Sequence, residues 1–121
     1  MAKPVPYDFV LDYLPRGIIL KPMFGMHYIY MNKKILLILR KRPNEPELNG
    51  IWIATSKQYH QSLKKHIPEL GSFFINNDER QGNWLFLPED IDDFEEPAIK
   101  VCELISHGDQ RIGNITEKAP I

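Results

Sequence analysis

Apolar residues recur at helical spacing in three parts of the chain, each beside a residue that favours a helix end. The first part is 7–14. The second follows Ser56, whose hydroxyl can accept a hydrogen bond from a backbone N–H of the first turn. The third starts after Asp92 or Asp93 and stops at Gly108. We predict three helices with these residues on their buried faces: Phe9, Val10, Tyr13 and Leu14; Tyr59, Leu63 and Ile67; Phe94, Ala98, Val101, Cys102 and Ile105.

Runs of β-branched and aromatic residues predict strands between these helices. The runs are 18–21, 26–31, 35–39, 51–54, 73–75 and 84–87. They come in hairpin-linked groups instead of alternating singly with helices, which favours an antiparallel sheet. The fold class we predict is α+β, a two-layer sandwich in the order helix, three strands, helix, two strands, helix. The run at 51–54 is left open as a further strand.

Length and composition limit the domain organisation and the classes of partner. The 121 residues bury one core, so we predict a single domain over 1–108 and a loosely ordered tail over 109–121, where no periodicity is visible. The net charge of −1 does not favour nucleic acid or an anionic membrane. The longest apolar run, 35–39, is far shorter than the ~20 residues that span a bilayer. We expect a soluble cytoplasmic protein.

Residues that could perform catalysis or bind a cofactor are scattered. Cys102 lies on the apolar stripe of the last helix, where a free cysteine behaves as a small hydrophobe. The acidic run 89–96 is better explained by the positive end of a helix dipole than by a metal site. Four histidines do not show the spacing of a zinc site: His27, His60, His66 and His107. The expectation is no catalytic set, no metal and no cofactor.

One basic region is a candidate for contact with phosphates. It comprises Lys33, Lys34, Arg40, Lys41 and Arg42, at the two ends of the apolar run 35–39. Aromatic residues are not interleaved with these cations, as a binder of single strands requires. A different role explains the positions of the lysines equally well, because charged residues at strand ends deter strand-to-strand aggregation.

A motif with a specific pattern lies at Lys21-Pro22-Met23-Phe24-Gly25, directly before the run 26–31. Gly25 can adopt backbone angles that other residues avoid, so a bend between two strands is one interpretation. The motif, the turn into 35–39 and the segment 84–90 also resemble the N-terminal domain of the bacterial TfoX/Sxy competence regulators. The signature residues of this resemblance are Lys21, Met23, Phe24 and Gly25. It implies a two-layer α+β fold with no established catalytic residues, in a single-domain member without the second domain of full-length regulators.

Three functions are therefore considered. The first is a protein-interaction module that binds a partner or a second copy of itself through its sheet or an edge, with Trp52 and Trp84 as exposed aromatic candidates. The second is a nucleic-acid-associated regulator of transcription or competence that uses the basic region. The third is a small-molecule-binding protein or enzyme with a site near Met23, Phe24 and His27. We rank them in this order.

Overall fold

The computed structural model describes residues 4–72 and 82–117. Within them, seven strands form one antiparallel sheet in the order β1–β2–β3–β4–β6–β5, and β7 pairs with β3. The strands are β1 Ile19–Met23, β2 Met26–Met31, β3 Lys34–Arg40, β4 Gly50–Ala54, β5 Gly71–Ser72, β6 Trp84–Pro88 and β7 Asn114–Ile115. The helices are α1 His60–His66 and α2 Glu95–Ser106, with short 3₁₀ helices at Asp8–Asp12, Pro46–Leu48 and Lys57–Tyr59. The α+β class with an antiparallel sheet is confirmed.

One face of the sheet carries the hydrophobic core. Alternate residues of each strand point to the same face, so Leu37 and Leu39 of β3 lie beside Ile51 and Ile53 of β4. Side chains from α1, α2 and the first 3₁₀ helix complete this cluster of fully or almost fully buried residues. The helical contributors are Val10, Leu63, Ala98, Val101, Cys102 and Ile105. The predicted buried stripe of the last helix is thereby confirmed.

The opposite face of the sheet is rich in aromatic residues. Strand register aligns Tyr28, Ile38, Trp52 and Phe86 in one row across four strands. Tyr28 stacks on Tyr30 of the same strand, with ring centroids 6.4 Å apart. Both α-helices pack on the other face, and Ile38 is nevertheless only 3% exposed. Large neighbouring side chains therefore contribute to its burial.

The helices start differently from the prediction. Neither Ser56 nor Asp93 caps a helix with its side chain. Their backbone carbonyls accept instead: Tyr59 N donates to Ser56 O at 2.9 Å, and Glu96 N donates to Asp93 O at 3.1 Å. The first predicted helix is a single 3₁₀ segment, and Tyr7 before it takes a left-handed conformation with φ 54°. Gly108 ends α2 with φ 75°, as predicted.

The predicted order of elements changes at two places. The run at 51–54 is a strand, β4, so four strands precede α1 where the predicted order counted three. The predicted strand at 73–75 lies outside the described residues. Its neighbours Gly71 and Ser72 pair antiparallel with Phe86 and Leu85, which places β5 beside β6.

The segment after α2 packs on the domain over its described part, where the sequence predicted a loose tail. Ile112 is 4% exposed and belongs to the core cluster. Gly113 N donates to Ala54 O at 2.7 Å, and the side-chain amide of Asn114 donates to Thr55 O at 2.8 Å. Asn114 and Ile115 then pair with β3. A short segment without periodicity is ordered here by contacts with residues far away in the sequence.

Candidate functional site

The motif that the sequence singled out forms the two-residue turn between β1 and β2, which we call the Phe24 turn (Phe24–Gly25). Met23 pairs with Met26 across it. Both turn residues have positive φ, 54° at Phe24 and 75° at Gly25, as a type I′ hairpin turn requires. Asparagine is strongly preferred at the first position of such turns because it tolerates this conformation. Here the first position holds a phenylalanine.

A second two-residue turn in the same sheet provides an internal comparison. Asn32 and Lys33 join β2 to β3, with φ of 52° and 64°. The residue at the first position of this turn is the favoured asparagine. At the first position, the Phe24 turn therefore departs from a preference that the Asn32 turn follows, although the Asn32 turn has Lys33 in place of the preferred glycine at its second position. The Phe24 side chain is also 77% exposed, so packing against the domain does not account for the choice.

The surroundings of the Phe24 turn carry positive charge. A Cβ placed on Gly25 would lie 3.1 Å from Nε of Arg42, so the guanidinium of Arg42 lies against this glycine. Lys21 is exposed on β1 and lies on the same face of that strand as Met23. Three signature residues of the sequence resemblance, Lys21, Phe24 and Gly25, are thus exposed, and Met23 is half-buried.

Arg40 of the basic region has a structural position. It is only 4% exposed, and its guanidinium donates hydrogen bonds to Asn49 Oδ1 at 2.7 Å and to the carbonyls of Glu45 and Asn44 at 2.8 Å. The amide of Asn49 also receives a hydrogen bond from Arg42 N and donates one to Arg42 O. This network holds the loop between β3 and β4, and it occupies the Arg40 head group inside the protein.

Lys41 takes part in a second network that connects distant parts of the chain. Its ammonium donates to both carboxylate oxygens of Glu89, at 2.6 and 2.8 Å. The hydroxyl of Tyr7 lies 2.7 Å from Glu89 Oε2 and 2.8 Å from Arg40 O. Burial tends to raise the pKa of Glu89, but hydrogen bonds from Lys41 and Tyr7 outweigh it and hold that pKa below its usual value. Burial, reinforced by Glu89, raises the pKa of Tyr7 well above its ordinary value.

The five cations of the predicted phosphate contact do not form one patch. Lys33 and Lys34 lie at the β2–β3 turn, and Lys41 and Arg42 follow the opposite end of β3. The seven residues of β3 separate the two pairs by about 20 Å at the usual rise of a strand. With Arg40 sequestered, each end of the strand presents one pair of cations.

Histidine, cysteine and acidic residues occupy positions without a metal-binding arrangement in the described part of the chain, where no group of three or more potential ligands converges. Cys102 is buried in the core, and burial raises the pKa of its thiol to about 12, so the reactive thiolate is scarce at neutral pH. Trp52 and Trp84 are half-buried and meet edge to face, with centroids 6.2 Å apart. Trp52 also donates to Leu48 O at 3.0 Å.

A polar cluster that the sequence did not reveal lies between α1 and the segment after α2. The guanidinium of Arg111 donates to both carboxylate oxygens of Asp109 and to Ser62 Oγ, the latter at 2.7 Å. It also lies 3.2 Å from Nδ1 of His66. Hydrogen bonds from Arg111 keep the pKa of Asp109 below its usual value. The spacing of Ser62 and His66, four residues apart on one helix face, is the part of this cluster that the sequence could have indicated.

The described residues include no helix of the length and apolarity needed to cross a bilayer. Comparison of the chain with family models, with curated proteins and with solved structures gives no match.

Proposed function

We propose that this chain is a non-catalytic protein-interaction module that binds a partner protein through the Phe24 turn. The observation that supports the proposal best is the combination of exposure and backbone strain at Phe24. Its ring is 77% exposed and its φ is 54°, a conformation that bulky residues rarely adopt. Strain of this kind points to function when the local fold does not need the side chain. Aromatic residues are enriched among the anchors of protein interfaces.

The chemistry around the anchor indicates the partner. Lys21 and Arg42 contribute positive charge near the apolar surface of Phe24 and Met23. A partner with an apolar pocket and carboxylates at its rim would match both features, because complementary charge improves association and selects among partners. The proposed occupant of this surface is therefore a folded protein with an acidic rim around an apolar pocket.

Pairing of β1 with a strand of a second copy is a weaker alternative. β1 lies at the edge of the sheet, but it contains Pro22, which cannot donate a backbone hydrogen bond, and the exposed Lys21. Proline and lysine at an edge are the usual means by which proteins prevent strand addition. The Phe24 turn does not depend on a strand edge and remains available to a partner.

A role in nucleic-acid binding or in the regulation of competence, implied by the sequence resemblance, ranks second. It depends on a basic region whose cations are split between the two ends of β3. Arg40 is buried and occupied by three acceptors, which leaves two cations at each end.

The substitution Phe24→Asn tests the proposal, because it is expected to preserve the fold while removing the anchor. Asn-Gly is the preferred sequence of a type I′ turn, so the variant should be more stable by about 1 kcal/mol. The matched control is Ile115→Asn, which removes an 81% exposed side chain from β7. Each protein is used to capture partners from lysate, and a captured protein is identified, purified and titrated against all three.

The proposal predicts a purified partner that binds the unmodified chain and Ile115→Asn with equal affinity, and Phe24→Asn at least tenfold more weakly. This is the ~1.4 kcal/mol that separates an interface anchor from a peripheral contact. Equal binding by Phe24→Asn contradicts the proposal. Loss of binding in Ile115→Asn but not in Phe24→Asn would place the interface at β7 instead.

A further inference from the structure

We infer a second site in this protein: a cavity that binds a small organic monocarboxylate with an apolar body. The cavity has a volume of about 300 Å³. It lies beside the Phe24 turn, between the N-terminal segment and the start of β2, and we call it the His27 cavity. Its lining residues are Pro4, Val5, Pro6, Gly25, His27 and Lys41. The inference concerns a ligand and not the partner protein, so it stands independently of the proposed function.

The imidazole of His27 is the first reason to expect a ligand. His27 is 9% exposed, and its Nδ1 is buried without a hydrogen-bond partner. Among the described residues, neither ring nitrogen of His27 takes part in a hydrogen bond. Buried polar groups are nearly always hydrogen-bonded, so an orphaned imidazole in the wall of a cavity calls for an explanation. The buried Nδ1 is out of reach of a ligand, so a ligand carboxylate would accept its hydrogen bond from Nε2–H, the ring nitrogen that is not buried in this way.

The charge at the His27 cavity favours an anion. The ammonium of Lys41 donates to the two carboxylate oxygens of Glu89, and the Lys41 side chain is still 58% exposed. An ammonium group has three donors, so one N–H remains for a ligand oxygen. Arg42 lies beside Gly25 and adds a second cation, against the single carboxylate of Glu89. Lys41, Arg42 and Glu89 together thus carry one net positive charge.

The remaining walls define the rest of the ligand. Pro4, Val5 and Pro6 present apolar surface, which suits an aromatic or aliphatic body and not a second polar group. The volume is at the lower end of the ~300–1,000 Å³ range of small-molecule sites, so the ligand is small. The site therefore matches a compound such as an aromatic acid, with its carboxylate between His27 and Lys41.

Benzoate is a suitable probe, and benzamide is its neutral counterpart of nearly the same shape. Binding to the full chain is followed by the ¹⁵N resonances of the His27 ring and by the backbone amides of Val5 and Gly25. Lys41→Met removes the proposed ammonium contact. Lys100→Met is the matched control, because it also breaks a surface ion pair, with Glu96 on α2.

The inference predicts saturable shifts of the His27 ring nitrogens with benzoate for the unmodified chain and for Lys100→Met. Benzamide and Lys41→Met should each weaken binding about tenfold, the effect of losing a charge-assisted hydrogen bond. The absence of a saturable shift up to about 10 mM, well above the ~1 mM dissociation constant of a weak site, would overturn it. Equal affinity for benzamide and benzoate, or an undiminished affinity in Lys41→Met, would overturn it as well. Lys41 is exposed, so the test does not require a variant in the core.

Discussion

Arg40 and Asn49 form a buried pair in which Nη1 of the arginine donates to Oδ1 of the asparagine at 2.7 Å. The same Asn49 amide bonds to both the N–H and the carbonyl of Arg42. The side chain of Asn49 thus holds the loop that connects β3 to β4 and the backbone of Arg42, the cation beside the Phe24 turn. The buried guanidinium is satisfied by neutral oxygen acceptors from the Asn49 side chain and two backbone carbonyls.

Asn49→Ala should destabilise the fold by about 3 kcal/mol. It removes three hydrogen bonds and takes one acceptor from a buried charge, which costs more than the loss of a surface contact. The control is Asn44→Ala, because Asn44 bonds to Arg40 only through its backbone carbonyl, which alanine retains. Urea denaturation followed by circular dichroism gives both values. A similar loss of unfolding free energy in the two variants would show that the Asn49 side chain does not hold this loop.

Stability should fall at alkaline pH, in part through Tyr7. Burial and Glu89 raise the pKa of Tyr7 in the folded state, so folding favours the neutral phenol. This contribution is complete below the ordinary tyrosine pKa of about 10 and is lost as the pH rises above it. Tyr7→Phe should reduce the loss of unfolding free energy between about pH 9 and pH 11, a window that brackets that value. Some loss should remain, because burial also raises the pKa of Tyr30.

The exposed Tyr13 provides the control for this pH dependence. Tyr13→Phe should follow the same pH curve as the unmodified chain. If Tyr7→Phe and Tyr13→Phe both leave the curve unchanged, the hydroxyl of Tyr7 does not contribute to alkaline sensitivity.

The same substitution at two isoleucines in the segment after α2 should change the free energy of unfolding by very different amounts. Ile112 is 4% exposed and lies in the core cluster, whereas Ile115 is 81% exposed. Ile112→Ala should cost about 2–4 kcal/mol, the usual effect of a cavity in a core. Ile115→Ala should change the free energy of unfolding by less than ~0.5 kcal/mol. Equal and small effects would mean that this segment contributes little to the fold in solution.

Binding of a generic DNA duplex should be weak at physiological ionic strength. One end of β3 presents Lys33 and Lys34 and the other presents Lys41 and Arg42, so we expect about two phosphates to be neutralised at a time. The slope of log affinity against log salt should then be no steeper than about −2. Retardation of a duplex at ~150 mM salt, abolished by alanine at Lys41 and Arg42 but not at Lys33 and Lys34, would raise the regulatory function to first place.

The sequence alone determined the local structure well where one short-range rule dominates. The limits of β2 and the buried stripe of α2 agree with the prediction, because side-chain period and burial are set by neighbouring residues. Gly25 has a positive φ of 75° in the turn between two strands, which agrees with the interpretation of its motif as a bend, because glycine tolerates this conformation at little cost.

Only the tertiary structure decided which of the candidate residues come together. Arg40 and Lys41 are neighbours in sequence, yet Arg40 is buried under its own loop while Lys41 reaches Glu89. The cluster around Arg111 likewise depends on the segment after α2 lying beside α1. Such contacts follow from strand register and chain path, since a residue's face and neighbours change with a shift of one position. The sequence suggested a small-molecule site near His27, but only the folded chain places the N-terminal segment and Lys41 beside that residue.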